Sequence, residues 1–201
     1  MPTSIAIIGC GLIGGSIAKD CIKLGINVNI ATKNILKTKT ILPKAHVFEN
    51  IADLAKSDIL IIATPLSEYE SISKKINPKN YKIITDIGSI KLLPEKIMSH
   101  FSNFIGSHPI AGREFSGIEN SIDGLFNKKT TIISQANKDL AEFWSLLGSK
   151  IIILNPQEHD RLYAKLSHFI HLLSFSLAEM LKEYDDSIFL NKCKKLFNRF
   201  L

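Results

Sequence analysis

The chain has 201 residues, 45% of them hydrophobic, and its 25 basic and 19 acidic residues give a formal net charge of +6. That apolar content can bury a full core, enough for one ordinary domain with an appendage or two small domains. The lysines are scattered instead of clustered with aromatics, which speaks against a nucleic-acid partner; no apolar run reaches the roughly 20 residues of a membrane span, no signal-like segment opens the chain, and a cytoplasmic protein is expected.

Ile5-Ala6-Ile7-Ile8 reads as a buried strand, followed by helical spacing over residues 13–24 and a helix-ending Gly25. Residues 28–31 form a second strand, Val47-Phe48 a short third, and residues 51–56 a short helix. Residues 59–63 are continuous, largely β-branched and stopped at Thr64-Pro65, which makes them a central strand. A helix over 67–76, a strand over 82–86, a helix over 94–101 and a strand over 104–106 continue the alternation. Strands at 130–134 and 151–154 flank a helix from Lys138 to Leu147 that Gly148 ends. Alternating strands and helices make an α/β, Rossmann-type, doubly wound and mainly parallel sheet over residues 1–154. Beyond Asn155-Pro156 the pattern becomes helical, with one long helix over 157–182 and an amphipathic piece over 188–201; residues 155–201 are therefore a short all-helical segment.

Gly9-Cys10-Gly11-Leu12-Ile13-Gly14 lies between the first strand and first helix, the setting that gives a G-x-G-x-x-G pattern its meaning. Gly9 allows the tight turn, Gly11 the approach of a pyrophosphate and Gly14 close helix packing, while the helix N-terminus attracts phosphate charge. Cys10 is a small buried side chain in this loop, and an odd total of three cysteines without ligand spacing points to reduced thiols. An NAD site would carry an acidic residue at the end of the second strand, where this chain has Ala31-Thr32-Lys33-Asn34. Thr32 can donate a hydrogen bond and Lys33 can pair with a 2′-phosphate, which tilts the cofactor from NAD to NADP; the competing reading is a surface lysine beside an NAD ribose.

Asp86-Ile87-Gly88-Ser89-Ile90-Lys91 ends a parallel strand at its carboxyl edge, where open α/β sheets place ligands. Ser89 is a candidate substrate hydrogen-bonder as well as a candidate helix cap. Ser107-His108-Pro109-Ile110-Ala111-Gly112-Arg113-Glu114 places a proton-accepting imidazole and a carboxylate beside flexible backbone past the next strand, so His108, Ser89 and the glycine loop should line one cleft. On the long helix, His168 and His171 share a face, where they are core residues or pocket residues; no carboxylate or cysteine cluster joins them to make a metal site.

The run of Gly9 to Ser16, Ala63-Thr64-Pro65, Asp86 to Lys91, His108 to Glu114, Gly117, Leu125-Phe126, Trp144 to Gly148 and Glu158 to His171 resembles the prephenate dehydrogenases, including the arogenate-using members, over residues 4–180. The resemblance implies NAD(P)-dependent oxidative decarboxylation of prephenate to 4-hydroxyphenylpyruvate, or of arogenate to tyrosine, in tyrosine biosynthesis. It also implies Gly9, Gly11, Leu12, Ile13, Gly14, Thr32, Lys33, Thr64, Pro65 and Asp86 at the cofactor. A neutral His108 would take the proton of the ring hydroxyl, Ser89 would hold that hydroxyl or the imidazole, Glu114 would belong to a polar gate, and His168 and His171 would line the substrate pocket. The chain departs from the family pattern in two places. Arg113 stands where the family carries a threonine-like residue, and the chain ends at Leu201 before the family's glycine-rich, arginine-bearing segment and its dimer-forming helices.

Two other readings compete with this one: another reductase of the same two-domain plan, against which His108 to Gly112 argues, and a remnant that binds dinucleotide or partner helices without turnover. The apolar helix face over 161–181 predicts a homodimer.

Overall fold

Alternating side chains in the first strand divide the core between two faces of one sheet. In β1 (Ser4–Ile8), Ile5 and Ile7 join one buried cluster with Ile17, Val28, Ile59, Phe126, Phe143 and Trp144, whereas Ala6 and Ile8 join a second with Leu60, Tyr69, Ile84, Met98 and Phe104. A strand apolar on both sides belongs in a sheet covered on both faces, which is the parallel arrangement. The computed structural model describes residues 1–113, 115–165 and 169–180. The first helices and strands are α1 (Leu12–Lys23), β2 (Asn27–Ala31), α2 (Ile35–Ile41), β3 (His46–Phe48), β4 (Ser57–Ile62), α3 (Tyr69–Ser73) and β5 (Tyr81–Asp86). They form a five-stranded, all-parallel sheet in the order β3-β2-β1-β4-β5.

After α4 (Leu92–Ile97), strands β6 (Ser107–Pro109), β7 (Thr130–Ile133) and β8 (Lys150–Ile153) make a second sheet, with α5 (Lys138–Leu146) between the last two. In it β6 runs antiparallel to β7 and β7 parallel to β8. A parallel bridge between Ile84 of β5 and Phe104, three residues before β6, links the two sheets. The strand expected at residues 104–106 therefore forms at 107–109 instead. Phe104 and Ile105 are spent on that bridge, with Ile105 N–H donating to the Ile84 carbonyl at 2.9 Å. Two expected helices are reduced to 3₁₀ turns, Ile51–Asp53 and Leu66–Glu68, the latter running into the five-residue α3. Conversely, α2 forms where the sequence, with its β-branched and lysine-rich ILKTKTI, gave no helical reading.

The chain divides into two compact units, Met1–His159 and Asp160–Leu201, whereas the sequence placed the boundary near Asn155. Asn155 instead caps α6 (Pro156–Tyr163): its side-chain oxygen accepts from the Glu158 N–H at 2.9 Å, and its amide donates back to the Glu158 carboxylate at 2.7 Å. The long helix expected over 157–182 is described as α6 and α7 (Phe169–Met180), and the amphipathic piece expected over 188–201 lies outside the described residues. No described helix is long and apolar enough to cross a membrane.

Candidate active site

The glycine loop and the ends of β2 and β4 wall a cleft with a cavity volume of about 810 Å³. Gly9 turns the chain out of β1 at φ +89°, and a Cβ there would lie 2.7 Å from Thr64 Cγ2 and 2.8 Å from the Ala63 carbonyl oxygen. Gly14 lets α1 descend onto the strand, since a Cβ would meet the Gly9 carbonyl oxygen at 2.6 Å. Gly11 differs: a Cβ there would meet nothing within 4 Å, so the backbone at the start of α1 opens onto the cleft. A helix N-terminus with no acidic residue in its first turn, facing open space, fits a dinucleotide pyrophosphate. Thr64 adds a buried hydroxyl without a hydrogen-bond partner in the same wall.

Thr32, Lys33 and Pro65 line the same cleft. Lys33 is held by Glu68 at 3.0 Å, and Lys37, one turn further along α2, by Glu119 at 2.8 Å. Glu119 reaches the rim because the segment after His108 folds back along α1. There Lys19 Nζ donates to the Ser121 carbonyl at 2.6 Å, Ile122 N–H to Ser16 Oγ at 3.0 Å and Gly124 N–H to Asp20 Oδ1 at 2.7 Å. Leu12 and Gly14 are buried within α1 and Ile13 is half-buried. Cys10 also lines the cleft, but burial pushes its thiol up to about 12, so it carries no thiolate at neutral pH.

Asp86 is not on the cleft wall. It is fully buried at the end of β5 and ion-paired to Lys91, itself fully buried, at 2.6 Å. Its carboxylate also accepts from Tyr69 Oη at 3.2 Å, Gly88 N–H at 3.0 Å and Ser107 N–H at 3.0 Å, while Lys91 Nζ donates to the Ser107 carbonyl at 2.6 Å. Burial, reinforced by the Asp86 charge, drives the Tyr69 phenol well above its ordinary value and keeps it a donor. Ser107 Oγ takes a further bond from Trp144 Nε1 at 3.1 Å and shares one with Thr85 Oγ1 at 2.7 Å. The residue preceding His108 is thus fixed by bonds to its N–H, its carbonyl and its hydroxyl.

His108 is half-buried in β6, and its Nδ1 lies 2.8 Å from Nε2 of His159, which is fully buried in α6. The rings are tilted by 66° with centroids 5.1 Å apart, an edge-on pairing suited to one ring donating to the other. Sequence reasoning gave His159 no role. Ser89 is exposed in the turn after β5, next to Gly88, so it and His108 flank the same buried ion pair. Among the described residues, neither lines the glycine-loop cleft, and the single cleft expected for all three groups is not formed by these residues. Glu114 and His168 lie outside the described residues, and of His171 only the backbone in α7 is described. Arg113 is exposed. Among the described residues, no group of three or more His, Cys, Asp or Glu could hold a metal ion.

Comparison with known proteins gives this geometry a context. Residues 26–153 match the family described as prephenate dehydrogenase, nucleotide-binding domain. The chain is 33% identical over 192 residues to the prephenate dehydrogenase of Lactococcus lactis, covering 90% of this chain but 54% of that protein. It is 26% identical to the cyclohexadienyl dehydrogenase of Zymomonas mobilis, covering 90% and 68%. Among solved structures, the prephenate dehydrogenase of Aquifex aeolicus, in complex with hydroxyphenyl propionate and NAD+, superposes with a TM-score of 0.78 at 26% identity, over 92% of this chain and 71% of that one. The chain thus spans about half the length of the Lactococcus relative. The matched span runs from the start of β2 to the end of β8, taking in Thr32, Lys33, Ser89 and His108, and on that match the chain belongs to the prephenate dehydrogenase family.

Proposed function

We propose that this chain carries out, or supplies the nucleotide-binding half of, an NAD(P)-dependent oxidative decarboxylation of prephenate or arogenate. The observation that carries this reading is the 2.8 Å contact between His108 Nδ1 and His159 Nε2, in a chain whose glycine loop separately walls a cleft that fits a dinucleotide pyrophosphate. When bound, the nicotinamide supplies the acceptor for the hydride leaving the hydroxyl-bearing ring carbon. The protein's own task is the proton. In the tautomer in which His108 Nδ1–H donates to His159 Nε2, His108 Nε2 is the basic nitrogen that takes the proton of the ring hydroxyl as the carbon–oxygen double bond forms. Loss of the ring carboxylate as carbon dioxide then completes the aromatic ring. Ser89 binds the same hydroxyl, and the Asp86–Lys91 pair fixes the peptide that presents His108.

NADP is the preferred cofactor, because β2 ends without an acidic side chain and Lys33 stands at the rim. The protein acts as a homodimer in the cytoplasm. The test is to mix purified chain with prephenate or arogenate and NAD+ or NADP+ and to follow the reduced nicotinamide. Turnover is expected, with His108→Asn lowering it by roughly 10²- to 10⁴-fold while nucleotide affinity holds. Loss of nucleotide binding in that variant would remove His108 from the proton-accepting role. Nucleotide binding without turnover for any pairing would instead favour a chain that only binds the cofactor.

A further inference from the structure

The rim of the nucleotide cleft is built from paired opposite charges. Lys33 leaves the end of β2 and meets Glu68, which comes from the 3₁₀ turn after β4, at 3.0 Å. The Lys33 side chain is 88% exposed and that of Glu68 36%, so both are within reach of an incoming ligand. Glu68 is fixed at its backbone, its N–H donating to the Pro65 carbonyl at 3.0 Å and its own carbonyl accepting from Ser71 Oγ at 2.9 Å. The backbone that carries the carboxylate is therefore anchored at the cleft independently of Lys33.

A ribose 2′-phosphate carries close to two negative charges at neutral pH, whereas a ribose 2′-hydroxyl carries none. The phosphate must take Lys33 from Glu68 and then stand beside a carboxylate that has lost its partner. The hydroxyl meets neither demand. We propose that Glu68 is a specificity-determining residue of the nucleotide site, limiting the advantage of a 2′-phosphorylated dinucleotide by competing with the phosphate for Lys33. This rests on the dinucleotide reading above and adds the residue that sets the balance between its two cofactors. Specificity here comes from a repulsive element as much as an attractive one.

The test is calorimetric titration of NAD+ and NADP+ into the wild-type chain and four variants: Glu68→Gln, Lys33→Met, the two combined, and Glu49→Gln. Glu49 also lines the cleft, so its variant removes the same charge from the same rim. Glu68→Gln should tighten NADP+ by roughly 3- to 10-fold at low salt and leave NAD+ within about twofold. Lys33→Met should weaken NADP+ and cancel the gain in the combined variant, and the Glu68→Gln gain should shrink as ionic strength rises. The inference is overturned if the NADP+ to NAD+ ratio is unchanged in Glu68→Gln, or if Glu49→Gln moves it equally. It is also overturned if Glu68→Gln weakens NAD+ alone, because the carboxylate would then be a ribose hydroxyl acceptor. A wild-type chain that binds neither nucleotide removes the dinucleotide reading itself, a result distinct from binding with an unchanged ratio.

Discussion

His159 lies 51 positions from His108 in sequence and 2.8 Å from it in space. Nothing local signals that contact. The Asn155 cap and Pro156 fix where α6 begins, and the His159 N–H bonds back to the Asn155 carbonyl at 2.9 Å, so the cap sets which helical position faces β6. If His159 orients His108, His159→Phe should lower turnover roughly tenfold with nucleotide affinity unchanged, and His159→Gln should recover part of the loss by restoring a polar partner. Steady-state kinetics beside nucleotide titration would check this; equal turnover in the Phe and Gln variants would leave His159 a packing residue only. Asp86 was harder to place from sequence for the opposite reason. Its position at the carboxyl end of a parallel strand suits a ligand-binding residue, but the five-residue spacing to Lys91 turns the carboxylate inward to a buried amine.

At the scale of elements, the strongest sequence signals were those that a single stretch of chain satisfies by itself. β1, the glycine loop, α1 and β4 were legible because apolar runs, glycines and a stopping proline all lie within a few residues of one another. β6 begins three residues beyond the strand that the sequence signals, because its identity depends on pairing with β7, more than twenty residues on. The start of β4 shows the same dependence on distant partners. Asp58 accepts from Thr3 N–H at 2.7 Å, Thr3 Oγ1 at 3.0 Å and Ser4 N–H at 3.3 Å, and pairs with Lys82 of β5 at 2.7 Å, joining three neighbouring strands at one carboxylate. Lys82 first, then the Thr3 and Ser4 bonds, hold its carboxyl down to about 2. A folded value below the ordinary 3.8 means that this stabilisation is present above about pH 4 and lost as pH falls towards 2. With Lys82 largely exposed, the contribution is on the order of 1 kcal/mol. Urea midpoints of wild type and Asp58→Asn should therefore differ at pH 6 and converge by pH 2; a constant gap would assign the loss to packing.

For the whole molecule, the apolar residues of α7 bear on assembly. Leu172, Leu173, Phe175, Leu177 and Met180 are all exposed on a 12-residue helix. Apolar side chains at that density favour burial against another surface. Light scattering coupled to size exclusion should give twice the chain mass of 22.4 kDa, and a monodisperse monomer would count against the dimer. The Asp86–Lys91 pair bears on how the chain as a whole can vary through descent. Removing one member of a buried pair strands the other charge at a cost of about 3–5 kcal/mol, a large share of a typical domain's stability, whereas replacing both with apolar residues is often neutral. Here the apolar exchange would also release both ends of the Ser107 peptide that leads into His108. Change at either position alone is thus opposed by folding and, with His108 as the proposed proton acceptor, change at both together is opposed by the loss of its positioning, so the two residues should be inherited as a single unit wherever the proposed reaction is kept.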